Sequence, residues 1–251
     1  MINRIIQNSY ILLLVLNLLP PIAQAGIIAS ATRVIFYEGD NEQTLMLANT
    51  NRYPIVVQTW IDHGDVNTAP ELSHAPFVAL PSVFGMQPGA LKGLKIILAD
   101  ADFPTDKESV YWLNLYEIPP SQPAVPPQQS RVTLAMNTQM KIFYRPKKLA
   151  GKAELASDSA SFKLEKSGKG YRLVCKNDSA FYLSFAYLSV QLGKRHYSVQ
   201  LENDMMTAPY STKSYYIDYI NDSDLSQIAT VNVAIINDQG KQIAKQYPAL
   251  R

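Results

Sequence analysis

The sequence predicts an all-β protein built from two β-sandwiches, and three observations support this. Short alternating runs rich in Val, Ile, Tyr, Phe and Thr recur about every ten residues, as they do in proteins made of short strands. Gly, Asn, Asp and Pro separate these runs, and helical periodicity is hard to find. No internal repeat of fixed period occurs, which argues against a propeller or a solenoid.

Residues 1–25 have the features of a secretory signal peptide. Arg4 lies near the start, an apolar run extends from Ile11 to Leu19, and the small-residue pattern Ala23-Gln24-Ala25 follows. This order is typical of a cleavable signal, and the apolar run is too short to span a bilayer comfortably. The mature chain is therefore expected to begin near Gly26 and to act outside the cytoplasm, without stable insertion into a membrane.

Seven alternating runs fill the first part of the mature chain. Seven strands in a segment of this length match an immunoglobulin-like sandwich. The predicted strands are Thr32–Tyr37, Gln43–Asn49, Ile55–Asp62, Phe77–Leu80, Gly93–Ala99, Val110–Ile118 and Arg131–Tyr144.

The segment Arg145–Gly151 ends this set of runs, because Pro146 removes a backbone donor and the composition turns basic and small. We place the domain junction there, so that the two domains cover residues 26–146 and 147–251. The predicted strands of the second domain are Phe162–Lys166, Tyr171–Lys176, Tyr182–Gln191, His196–Leu201, Ser214–Tyr219, Ala229–Ile236 and Lys241–Gln246.

No pattern in the chain is typical of a catalytic or metal site. The histidines His63, His74 and His196 are far apart and form neither an H-E-x-x-H motif nor a zinc-ligand spacing. The glycine-containing motifs of hydrolases and nucleotide-binding proteins are absent. The acidic loop at residues 100–106 fits a solvated loop better than a calcium site. We therefore predict no enzymatic activity, no cofactor and no metal.

Charge and cysteine content exclude further classes of protein. The formal net charge is +2, and the basic residues form only short clusters, which argues against a nucleic-acid partner. Cys175 is the only cysteine, so no internal disulfide can form. It shares one face of an alternating run with Tyr171 and Leu173, which favours a buried core thiol over a nucleophile.

One predicted strand, RVTLAMNTQMKIFYRP at residues 131–146, carries a long apolar row. The row follows directly on IPPSQPAVPPQQ, a Pro-rich stretch that does not suit the inside of a sheet. From the pattern alone, the row serves either the core of its own sandwich or that of another protein. Its members occupy every second position, with Thr138 between the two parts: Val132, Leu134, Met136, Met140 and Ile142.

Two cations, Arg33 and Lys141, interrupt otherwise apolar strands. From the pattern alone, Arg33 fits a snorkelling surface arginine and Lys141 an exposed strand lysine. Buried cations need anionic partners, so an external carboxylate becomes the natural ligand if both point into one cleft. Lys141 lies on the row opposite the apolar residues. Either a bulge near Asn137 corrects the phase, or the cleft approaches the strand from its other side.

Several short segments occur in a specific order along nearly the whole mature chain. They are Thr32-Arg33-Val34, Tyr53-Pro54, Gln58-Thr59-Trp60-Ile61, Phe77, Pro81-Ser82-Val83-Phe84, Gln87-Pro88-Gly89, Asp106-Lys107-Glu108-Ser109, Tyr111-Trp112-Leu113-Asn114, Ile118-Pro119-Pro120 and Lys141-Ile142-Phe143-Tyr144-Arg145-Pro146. Together, behind a signal peptide, they resemble the periplasmic pilus chaperones of the PapD type, the assembly factors of the chaperone/usher pathway. Each segment alone is weak, and their joint occurrence is highly specific.

The resemblance implies two immunoglobulin-like sandwiches in a boomerang arrangement. It implies a periplasmic chaperone that binds and stabilises pilus subunits by donor-strand complementation and delivers them to an outer-membrane usher. The residues that match the family's functional positions are Arg33 and Lys141 as the anchor for the subunit's C-terminal carboxylate, Val132, Leu134 and Met136 as apolar residues of the donor strand, and Glu108, Arg145 and Asp222 as an interdomain ion-pair network.

Two other classes of protein compete with this interpretation. A surface structural protein or adhesin with two immunoglobulin-like domains should carry its own donor extension or an anchor, and we find neither. A secreted hydrolase would need a catalytic triad that the chain does not show.

The exposed apolar row also favours self-association of the free protein, although the sequence leaves this open. Many relatives carry a cysteine pair in the second domain, which Cys175 alone cannot form.

Overall fold

A computed structural model describes residues 26–65, 68–99, 101–120, 134–168, 170–227 and 229–250. The predicted signal peptide, residues 1–25, and Val132 of the apolar row lie outside these ranges. Nearly all of the regular structure is β-strand, which confirms the predicted all-β fold. The short helices are of the 3-10 type and cover Pro70–Leu72, Lys147–Leu149, Ala153–Ser159 and Asp222–Ser226. Among the described residues, no helix has the length and apolar character needed to cross a bilayer.

The first sandwich consists of a four-stranded sheet, in the order β1-β3-β7-β5, facing a five-stranded sheet, in the order β2-β9-β8-β4-β6. Alternation places one row of each strand inside, as in β7, where Leu94 and Ile96 are fully buried. The shared core also contains Phe36, Leu113 and Ile142. The strands are β1 Ile27–Ala29, β2 Arg33–Tyr37, β3 Glu42–Asn49, β4 Ile55–Asp62, β5 Phe77–Leu80, β6 Val83–Met86, β7 Leu91–Leu98, β8 Ser109–Ile118 and β9 Met136–Arg145.

The second sandwich is one continuous set of strands in the order β13-β12-β16-β17-β10-β11-β15, with β14 added on β12. The long strand β17 pairs antiparallel with β16 and parallel with β10, and so joins the two halves around a core that includes Leu173 and Tyr215. The strands are β10 Ala160–Ser167, β11 Gly170–Asn177, β12 Leu183–Leu192, β13 Arg195–Ser198, β14 Met206–Thr207, β15 Ser211–Ile217, β16 Ala229–Ile236 and β17 Gln242–Leu250.

Three short strands, β1, β6 and β14, are absent from the sequence-based prediction. Strands β1 and β14 have only three and two residues, and Gly85 interrupts β6, so none offers a full alternating run. Strand β1 matters for the site because it pairs with β3, whereas β2, which follows after Ser30–Thr32, pairs with β9 in the other sheet. The chain therefore changes sheets just before Arg33.

Cys175 lies in the core of the second sandwich with no exposed surface, as predicted for a buried thiol. Burial raises the pKa of this thiol to about 11, although a hydrogen bond with Thr207 opposes the change. Because the thiolate is the reactive form, the folded protein at pH 8 is expected to react with Ellman's reagent at least roughly 100-fold more slowly than the urea-unfolded chain. Rapid labelling of the native protein would contradict this placement.

Candidate functional site

Arg33 and Lys141 lie side by side on neighbouring strands. Strands β2 and β9 are parallel, and their register places Arg33 directly opposite Lys141. Adjacent strands are about 4.8 Å apart, so the backbone positions of the two cationic residues are close neighbours. The structure thus brings together the two residues to which the resemblance to pilus chaperones assigned the carboxylate anchor.

The Arg33 guanidinium is buried, with 9% of the residue exposed, so the interpretation as a snorkelling surface arginine is wrong. Its Nη1 donates to the Ile236 carbonyl of the second sandwich at 3.2 Å, and it lies 5.7 Å from the Phe143 ring. Its Nε is also buried and has no hydrogen-bond partner among the described residues. Burial lowers the pKa of Arg33, while the charges of Asp238 and Glu108 oppose this. Arg33 therefore retains an unused donor in the space between the two sandwiches.

The Lys141 ammonium is partly buried, with 23% of its side chain exposed. Its Nζ lies 3.5 Å from Oδ1 of Asp204, a residue of the second sandwich. Burial lowers the pKa of Lys141, the Asp204 carboxylate opposes this, and Arg33 and Lys213 lower it further. The two cations therefore destabilise each other's charge, and an additional carboxylate between them would stabilise both.

The phase of strand β9 explains how a cation and an apolar row can occur on one strand. The pairing of β9 with β8 runs without a register shift from Met136 opposite Glu117 to Tyr144 opposite Ser109. A bulge near Asn137 is therefore not present, and that alternative is wrong. Lys141 shares its row with Phe143, whose ring lies 5.9 Å from that of Tyr182 in the second sandwich. The cleft approaches β9 from the face opposite its own core.

The apolar row divides into a buried and an exposed part. Met140 and Ile142 are 5% and 0% exposed and belong to the core of the first sandwich. Leu134 and Met136 are 77% and 51% exposed, although they precede them on the same row. The interpretation as part of the protein's own core therefore holds for Met140 and Ile142, while Leu134 and Met136 extend past that core.

One edge of strand β9 is open beside the exposed part of the row. Strand β2 covers that edge only from Lys141 to Arg145. Residues Met136–Met140 pair with β8 on the other side, and no described strand pairs with their second edge. The gap arises because the chain before Arg33 leaves for the other sheet as β1. An additional strand can fit there, in line with β2 and directly before Arg33.

An ion-pair network connects the two sandwiches. The Arg145 guanidinium donates from Nε and Nη2 to Glu108 Oε1, at 2.8 and 2.6 Å, and from Nη1 and Nη2 to Asp238, at 2.7 and 3.0 Å. The other Glu108 oxygen accepts the backbone N–H of Tyr182 at 2.9 Å. The predicted pairing of Glu108 with Arg145 is therefore present, and it reaches the second sandwich through Asp238 and Tyr182.

Asp238 was not identified from the sequence, where the resemblance implied Glu108 and Asp222 as the acidic residues of the network. The side chain of Asp222 lies outside the described part of the structure. Asp238 lies in the turn Asn237-Asp238-Gln239-Gly240 between β16 and β17, and such composition indicates a turn without showing which other element it faces. Burial lowers the pKa of Arg145, but its hydrogen bonds and attraction to Asp238 and Glu108 outweigh this and raise it. The network therefore holds a fully charged arginine.

Two models of one protein family match the chain. The family described as "Pili and flagellar-assembly chaperone, PapD N-terminal domain" matches residues 26–150. The family described as "Pili assembly chaperone PapD, C-terminal domain" matches residues 156–247. Together these matches cover nearly the whole of the described chain.

Similar proteins are named chaperones, not surface structural proteins. Chaperone protein FimB/FhaD of Bordetella pertussis is 32% identical over 77% of this chain and 78% of its own length. The probable fimbrial chaperone YadV of Escherichia coli K12 is 31% identical over 87% and 88%. A crystal structure of YadV matches with a TM-score of 0.71 and 28% identity, over 89% of this chain and all of its own. The structure of Salmonella enterica SafA pilin with the SafB chaperone matches with a TM-score of 0.70 and 25% identity, over 89% and 96%. This chain belongs to the PapD family of pilus-assembly chaperones.

Proposed function

We propose that this protein is a periplasmic, non-enzymatic chaperone that captures pilus subunits by adding strand β9 to their incomplete fold and delivers them to an outer-membrane usher. The observation that carries the proposal is the open edge of β9, which ends at the two cations Arg33 and Lys141. Chaperones of this family act in the periplasm, and residues 1–25 fit export to that compartment.

The added strand supplies two kinds of interaction. Backbone groups along Met136–Met140 can form hydrogen bonds with an incoming strand, which removes an unpaired edge from both proteins. Leu134 and Met136 can enter the groove of a subunit that lacks its own last strand. Each Å² of apolar surface removed from water in this way contributes roughly 25 cal/mol. Val132 would extend the same row, although it lies outside the described residues.

The cation pair gives the added strand a direction and a register. Strand β2 runs parallel to β9 and begins with Arg33. A strand placed in line before it, also parallel to β9, would end with its C-terminus at Arg33 and Lys141. An antiparallel strand would bring an amino group there instead. Because a slip of one residue would turn alternate side chains away from the groove, a terminal carboxylate fixed by two cations would define the pairing.

The comparisons support the partner as well as the role. SafB was solved with the SafA pilin, and its likeness to this chain favours a pilus subunit as the ligand. The proposed division into a first domain of residues 26–146 and a second of residues 147–251 places Arg33, Lys141 and the donor strand in one domain and Asp204 and Asp238 in the other. Subunit binding would then depend on how the two domains are held together.

Co-expression tests the donor role directly. A Leu134→Glu/Met136→Glu double variant is expected to fold normally and to lose co-purification with a pilus subunit that the wild type captures. The reason is that both side chains are exposed in the free protein but would bring charge into the subunit's apolar groove. Periplasmic co-purification with each pilus subunit encoded near the gene measures this. The matched control is Leu72→Glu, because Leu72 is 67% exposed and lies in the short helix Pro70–Leu72, not on β9. Equal capture by wild type and double variant, or no capture of any subunit by the wild type, would overturn the proposal.

A further inference from the structure

Asp204 places a carboxylate of the protein itself beside the proposed anchor. It lies between β13 and β14 in the second sandwich, and its Oδ1 is 3.5 Å from Lys141 Nζ. This distance is too long for a well-formed hydrogen bond between charged groups. The same oxygen is buried and has no hydrogen-bond partner among the described residues. Asp204 therefore interacts with Lys141 chiefly through its charge.

The backbone around Asp204 is fixed independently of Lys141. The Lys213 ammonium, on β15, donates to the main-chain carbonyl of Asp204 and forms an ion pair with Glu202 at 3.1 Å. The Asp204 side chain is 44% exposed, so water reaches the pair from one side. The carboxylate is thus held next to Lys141 by its own loop and does not need Lys141 to hold the loop in place.

The two anchor cations consequently differ in what they offer a ligand. Arg33 donates a hydrogen bond to the Ile236 carbonyl but forms no direct ion pair among the described residues. Its Nε has no hydrogen-bond partner there. Lys141 already faces a carboxylate. A carboxylate that arrives between them would displace no direct ion pair of Arg33, on which Asp238 and Glu108 act only through longer-range charge. It would share Lys141 with Asp204 and would bring a second negative charge close to Asp204.

We propose that Asp204 is an internal competitor that limits the affinity of the cation pair for the C-terminal carboxylate of a bound strand. This inference rests on the carboxylate-anchor function proposed above. The consequence is reversible capture. When a strand binds, the interaction of its carboxylate with Lys141 partly replaces the interaction that Lys141 already makes with Asp204 in the free protein. Release to a better-fitting strand then needs less free energy than it would with two uncompensated cations.

The test compares two peptides and two variants of the full mature chain. The probes are a fluorescently labelled decapeptide of alternating valine and threonine with a free C-terminal carboxylate and the same peptide with a carboxamide. Asp204→Asn keeps the shape and removes the charge. It is expected to bind the carboxylate peptide about tenfold more tightly than the wild type, since it removes a like charge several ångströms from the ligand. Binding of the carboxamide peptide is expected to stay the same within about twofold.

Glu202→Gln is the matched control, because Glu202 lies on the same loop but pairs with Lys213 instead of Lys141. It is expected to change neither affinity by more than about twofold. Unchanged or weaker binding of the carboxylate peptide by Asp204→Asn, with a wild type that prefers this peptide over the carboxamide, would overturn the competitor role alone. A wild type without that preference would overturn the anchor itself, and with it the role of Asp204.

Discussion

Replacing Arg33 by alanine is expected to lower the affinity for a pilus subunit by a factor of about 30 to several thousand while the protein stays folded. This range corresponds to the roughly 2–5 kcal/mol lost when one member of a buried charge pair is truncated. The guanidinium is buried, and its Nε has no partner among the described residues, so a ligand carboxylate would gain a strong interaction there. Isothermal titration of purified chaperone with a subunit measures the loss.

The fold should tolerate this substitution because Arg33 contributes little to it. Its hydrogen bond to the second sandwich is a single contact with the Ile236 carbonyl, and burial of its charge is itself unfavourable. Arg195→Ala is the matched control, since Arg195 is an exposed arginine whose ion pair with Asp224 lies in the second sandwich. Subunit binding by Arg33→Ala as tight as that by Arg195→Ala, with both proteins folded, would exclude Arg33 from the anchor.

Local sequence pattern was enough for much of the fold. Alternation identified β9 and the buried face that carries Met140 and Ile142, and it placed Cys175 in a core. It failed where strands are too short to alternate, as in β1 and β14. The start of β9 was placed at Arg131, whereas the described strand begins at Met136, with Leu134 and Ala135 before it outside any strand and residues 131–133 outside the described ranges.

The candidate site depends on contacts that no local pattern contains. Arg33 and Lys141 are more than a hundred positions apart, and only the parallel pairing of β2 with β9 makes them neighbours. From the residues alone, Arg33 looked exposed; the resemblance to pilus chaperones was needed to assign it to a cleft. Asp204 and Asp238 were missed for the same reason, since both lie in loops whose partners belong to the other sandwich.

Replacing Arg145 by methionine is expected to lower the free energy of unfolding by roughly 3–5 kcal/mol, the usual cost of removing one partner from a buried ion pair. Arg145 and Glu108 are each 3% exposed, and one guanidinium serves both Glu108 and Asp238. Without it, Glu108 must take up a proton or remain charged in a buried site, where burial already raises its pKa. Denaturant unfolding followed by circular dichroism measures the loss.

The network should also hold the two sandwiches in one orientation, since Arg145 and Glu108 belong to the first and Asp238 and Tyr182 to the second. Small-angle scattering of Arg145→Met is therefore expected to show a wider range of shapes than the wild type. Arg172→Met is the control, because Arg172 is 45% exposed, pairs with Glu165 within one hairpin, and should cost less than about 1 kcal/mol. If Arg145→Met matched this control in both stability and scattering, interdomain orientation would have to come from apolar contacts such as Phe143 with Tyr182, and subunit capture would not depend on the ion pairs.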